Sequence, residues 1–99
     1  MKLNKPQIID KIIKFFQKDG RIAKAWIFGS FARGDYNNYS DIDLMVKYNN
    51  PEKVSLFDFA EIAYLLEQKI KIKVDLVEEG YIKPFAWETA KNDIKLIYG

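Results

Sequence analysis

Ninety-nine residues carry sixteen Lys and Arg against fourteen Asp and Glu, a formal charge of +2, with 48% hydrophobic and 15% aromatic residues. That is enough for one packed domain, expected to span residues 1–99, and too mild a charge to imply a nucleic-acid partner. With no cysteine and no histidine, disulfides, Ser-His-Asp and Cys-His catalysis and the usual zinc ligands are all excluded.

Asn4 is placed to cap a first helix, whose stripe Ile8, Ile9, Ile12, Ile13 and Phe16 repeats at helical spacing before Gly20 stops it. "AKAWIFG" (23–29) reads as a buried strand closing at Gly29, and "SFARG" (30–34) as a short helix. "DIDLMVK" (41–47) alternates as a half-buried strand does. After the turn "NNPE", Ser55 with Asp58 resembles a capping box opening a second long helix with Phe59, Ile62, Ala63, Leu66 and Ile70 inward. "KIKVDLV" (71–77) is a third strand. Pro84 opens a third helix to about Asn92, and "IKLIY" returns as a final strand or strand-like tail. The expected class is α+β (α/β), a small mixed sheet with helices packed on one face. No apolar run is long enough to span a bilayer, and "MKLNKPQIIDK" lacks a secretory core, so the expected location is cytoplasmic.

Alternation puts Asp41 and Asp43 on one strand face, opposite Ile42 and Leu44. Asp75 opposes Val74 and Leu76 in the same way, sharing its face with Lys71, Lys73 and Val77. If both apolar faces meet the helices, three carboxylates project from the open face. Like charges about 4 Å apart repel by about 4 kcal/mol at an effective dielectric near 20, so such a cluster asks for protonation or a cation, and Mg²⁺ suits hard oxygen ligands. Taken alone, Asp-x-Asp is equally the solvated face of a half-exposed sheet. Gly29 permits a sharp turn and close ligand approach, and Ser30 at a helix start adds a donor for an anion. Arg33, one turn on, could face that anion or pair with an aspartate. Alone, Gly-Ser is an ordinary helix cap.

Together, "GSFARGDYNNYSDIDLMV" and "KVDLV" resemble the signature of the polymerase-beta-like nucleotidyltransferase superfamily: G-S, A-R-G, S-D-x-D and a later strand aspartate. The small size is similar to its minimal nucleotidyltransferase branch. The resemblance implies transfer of AMP from ATP to a hydroxyl, with release of pyrophosphate. It places Gly29, Ser30 and Arg33 on the nucleotide, Asp41, Asp43 and Asp75 on two Mg²⁺ ions, and Asp75 beside the attacking hydroxyl. Branch members are often antitoxins of small helical HEPN ribonucleases, and some adenylylate a toxin tyrosine. The leading reading is therefore a protein adenylyltransferase acting on a HEPN-type toxin. The alternatives are a binding module that neutralises its partner by contact, and an aminoglycoside-type small-molecule nucleotidyltransferase. Tyr36 and Tyr39 could stack on the base, touch the partner or simply pack in their loop. Trp26, Phe57, Phe59 and Trp87 are assigned to the core or to a protein interface.

Overall fold

The computed structural model describes residues 4–37 and 39–99; Met1–Leu3, at the head of the expected non-secretory N-terminus, and Asn38 of the loop before Asp41 lie outside them. Helix α1 (Lys5–Asp19) begins where Asn4 accepts the Gln7 N–H and Gln7 returns the bond, a reciprocal cap, and ends at left-handed Gly20. Strand β1 (Ile22–Phe28) leads directly into α2 (Gly29–Arg33). Strand β2 (Ile42–Tyr48) is followed by a 3₁₀ turn (Pro51–Lys53) and α3 (Leu56–Ile70). Then come β3 (Val74–Glu78), α4 (Pro84–Ala90) and β4 (Lys95–Tyr98), so the expected final tail is a strand.

The sheet order is β3-β2-β1-β4, with β2 and β3 parallel and the other pairs antiparallel. A parallel pair needs a crossover, and α3 supplies it. Ile8, Ile12 and Phe16 of α1 and Ile62, Leu66 and Ile70 of α3 pack on Ile27, Leu44, Val46 and Leu76 of the sheet. These two helices therefore cover one face, as expected. Met45 is buried but stands outside this cluster, on the opposite face of β2. Arg21 fastens the start of β1 to α3. It meets Asp19 at 2.7 Å, Asp58 at 3.3 Å and Glu61 at 3.1 Å, while Asp58 also completes the Ser55 capping box.

Several boundaries differ from expectation. Asp41 precedes β2, because pairing begins only where the Ile42 N–H donates to the Lys73 carbonyl. β3 starts at Val74 rather than Lys71: Lys71 is the left-handed cap of α3 (φ 62), so it does not share the strand face of Asp75. α4 stops at Ala90, ahead of the turn that precedes β4. Phe57 is 88% exposed and belongs to no core, Phe59 packs against the core, and Trp26 and Trp87 are half-buried.

Candidate active site

Register decides what the open face displays. Phe28 pairs with Asp43, and Asp43 pairs with Asp75, so the end of β1 and two aspartates form one row across three strands. Gly29 follows Phe28 at φ 73, a conformation that side-chain-bearing residues resist. A Cβ there would overlap Oδ2 of Asp43 and stand 3.1 Å from its Cγ. The Asp43 carboxylate is thus seated against the bare Cα at the head of α2.

The short helix is pinned from behind. Phe31 and Ala32 are buried, Lys5 Nζ donates to the Ala32 carbonyl at 3.1 Å, and the Phe31 and Tyr36 rings lie 4.5 Å apart. Ser30 begins the first turn, and its carbonyl accepts the N–H groups of Gly34 and Asp35. Its hydroxyl has no hydrogen-bond partner among the described residues. Arg33 binds Asp35 at 3.1 Å and Asp93 at 2.9 Å, joining α2 to the turn before β4. Of the two roles open to Arg33, pairing with an aspartate is the one present, and its partners are not the site carboxylates. Tyr39 is 94% exposed, its N–H held by Asn37 Oδ1.

Burial pushes the Asp43 carboxyl up to about 6. The charges of Asp75 and Asp41 and a hydrogen bond with Asp75 push the same way, with Arg33 opposing. Asp75 itself is exposed and Asp41 half-buried. The donor set is all oxygen, as a hard divalent cation prefers. Among the described residues no three acidic side chains already surround one point. Asp43 and Asp75 nonetheless lie paired, and Asp41 is near enough for its charge to bear on Asp43, so the set fits an ion that draws them together.

Two supporting residues escape sequence reading. Glu67 of α3 reaches across to accept the Val74 N–H at 2.7 Å, on the strand that carries Asp75. Asp93 anchors Arg33 from sixty positions away. Neither contact has a local pattern to announce it. Only the end of an apolar helix stripe near Glu67 hints that its side chain is free to serve the following strand.

A turn of bare backbone set against strand carboxylates has the parts that a phosphoryl-transfer site uses, backbone and hydroxyl donors on one side and candidate cation ligands on the other. Residues 9–97 match the nucleotidyltransferase domain family. A Methanocaldococcus jannaschii chain named as a candidate protein adenylyltransferase is 34% identical over 92% of this chain and 95% of its own. Protein adenylyltransferase MntA of Thermococcus cleftensis is 29% identical over 87% and 89%. Two solved structures share the fold. One is a toxin–antitoxin solved with AMP-PNP, 25% identical, with TM-score 0.75 over 98% of this chain and 74% of that one. The other is a candidate minimal nucleotidyltransferase, 26% identical, with TM-score 0.69 over 94% and 95%. The chain belongs to the nucleotidyltransferase domain family.

Proposed function

We propose that the protein transfers AMP from ATP to a hydroxyl of a partner protein, a tyrosine of a HEPN-type ribonuclease toxin, and so acts as its antitoxin. The carrying observation is the register that pairs Asp43 with Asp75 while the Asp43 carboxylate rests against the bare Cα of Gly29, so that the acidic row borders the head of α2. The names of the relatives and the AMP-PNP in the toxin–antitoxin crystal structure support the same reading.

In this reading Gly29 and Ser30 hold the triphosphate by backbone N–H and hydroxyl. Arg33, bound to Asp35 and Asp93, keeps α2 in place and adds positive charge close enough to lower the Asp43 carboxyl. Asp41, Asp43 and Asp75 would hold two Mg²⁺ ions, which would supply neutralisation of the phosphates and a more acidic acceptor hydroxyl. Asp75, exposed at the edge strand, takes the acceptor proton as the acceptor oxygen bonds to the α-phosphorus. The bond from that phosphorus to the bridging oxygen breaks, and pyrophosphate leaves with the electron pair. Positioning and charge stabilisation account for most catalysis of this kind, so the lack of histidine is no handicap.

The test is intact-mass spectrometry of the protein with ATP, Mg²⁺ and the candidate toxin, run beside Asp41→Asn/Asp43→Asn. An AMP-sized gain on the toxin that the double variant abolishes supports transfer. An unmodified toxin neutralised equally by both versions would establish contact alone and withdraw the reading.

A further inference from the structure

The chain between α2 and β2 carries one tyrosine that the packing leaves unused. The Tyr39 ring is almost wholly exposed, and its hydroxyl has no hydrogen-bond partner among the described residues. Its backbone, by contrast, is held. Asn37 Oδ1 accepts the Tyr39 N–H at 2.8 Å, the Asn37 N–H donates to Ser40 Oγ at 2.9 Å, and the Ser40 N–H donates to the Asn37 carbonyl at 3.1 Å. The ring is therefore presented outward rather than folded against its own chain. Tyr39 stands two residues before Asp41, at most about 7 Å along the chain from it.

The other tyrosines do not share this place. Tyr36 lies against the Phe31 ring, Tyr48 is buried and Tyr98 is half-buried. Exposed Tyr64 belongs to α3, on the opposite face of the sheet, and exposed Tyr81 lies past the end of β3 that is far from Asp75. Tyr39 alone joins a free phenol to a position beside the acidic row. A tyrosine has a rigid apolar body and a polar tip, so it enters another molecule's cleft at small entropic cost. A two-fold rotation that brings two copies together at this end sets each Tyr39 beside the other's carboxylates, because a residue next to its own site is then next to its partner's.

We propose that Tyr39 is a self-modification site: with no other protein at the site, one copy transfers AMP from ATP to the Tyr39 hydroxyl of a second copy. By the transfer chemistry proposed above, on which this assignment rests, the Tyr39 oxygen bonds to the α-phosphorus. Its proton passes to Asp75 of the copy that holds ATP. The bond from phosphorus to the bridging oxygen breaks, and pyrophosphate leaves with the electron pair.

The test is intact-mass spectrometry of the whole chain with ATP and Mg²⁺ alone, with fragmentation to locate the modified residue and the candidate toxin in a parallel sample. An AMP-sized gain on Tyr39 is expected. Tyr39→Phe, which keeps the ring and deletes only the acceptor oxygen, should lose it. Mixing Asp43→Asn, which retains Tyr39, with Tyr39→Phe, which retains the acidic row, should place AMP on the Asp43→Asn chain alone. Asp75→Asn replaces Asp43→Asn in the mixture if the first variant does not fold. An unmodified wild-type chain, a gain on Tyr64 or Tyr81 instead, or an unmodified Asp43→Asn chain in the mixture would overturn the proposal. If the toxin still gains AMP, that failure is confined to Tyr39; if the toxin is unmodified too, the transfer reading falls with it.

Discussion

The carboxylate of Asp43 rests on the Cα of Gly29, so the turn into α2 and the acidic row share one contact surface. Gly29→Ala therefore meets two obstacles, a positive φ and an occupied space, and its methyl must displace the Asp43 side chain. We expect a stability loss of about 1–3 kcal/mol and a fall in adenylyl transfer of about a hundredfold, since small misplacements at a reacting centre are that costly. Gly34→Ala is the control. It shares the positive φ but has nothing within 4 Å, so it should lose some stability and keep most activity. Urea unfolding and initial rates separate the two.

Asp43 also makes stability depend on pH. Its folded pKa of about 6 lies above the ordinary aspartate value of 3.8, so between these values the native state holds more protons than the unfolded one. The native state therefore loses stability as pH rises through that window, and the cost of the charge is fully present above it. Asp43→Asn removes the cost. After allowance for solvent screening we expect it to stabilise the protein by about 1 kcal/mol at pH 7.5 and by almost nothing near pH 4, while abolishing transfer. Thermal melts at both pH values check the sign, and a variant less stable at pH 7.5 contradicts it.

Glu67 accepts the Val74 N–H, one residue before Asp75, and we expect it to act as a positioning residue for that carboxylate. Glu67→Ala leaves that edge-strand donor without its protein acceptor and should cost about 1–2 kcal/mol. Glu67→Gln retains an acceptor oxygen and should restore most of the loss. Because β3 carries Asp75, the alanine variant should also need more Mg²⁺ for half-maximal activity. A normal Mg²⁺ requirement would limit Glu67 to a structural role.

Tyr48→Phe should be neutral or stabilising by up to about 1 kcal/mol, because its buried hydroxyl has no partner to lose. Burial, with the Glu78 charge second, pushes this phenol up to about 12, so at neutral pH the comparison removes an uncharged hydroxyl. Denaturant midpoints compared at pH 7 decide the matter. A clear destabilisation would mean that the hydroxyl is already satisfied in solution.

The elements were legible wherever chemistry is local. Asn4 and Ser55 announced their helices through caps, the stripes of α1 and α3 told which faces turn inward, and period-two alternation put Asp43 and Asp75 opposite the core. Strand starts were less legible. "KIK" continues the alternation of "VDLV", yet Lys71 must end α3 in a left-handed turn before the chain can extend. Pairing partners were invisible for the same reason. Arg33 sits in a motif, but its engagement by Asp93 depends on a turn sixty residues away. A cavity beside Tyr48 likewise exists only after β2, β3 and the head of α3 have met.

That parallel pairing of β2 with β3 has a consequence for how the molecule comes into being. Asp43 and Asp75 become neighbours only after the intervening helix has folded back, so closing about thirty residues of chain also forces two acidic groups together. The step that adds β3 to the sheet is the step that assembles the acidic row. A partly folded chain lacking β3 would have neither the repulsion between these two carboxylates nor their shared row, so the site comes into being with a long-range contact and not with any local element.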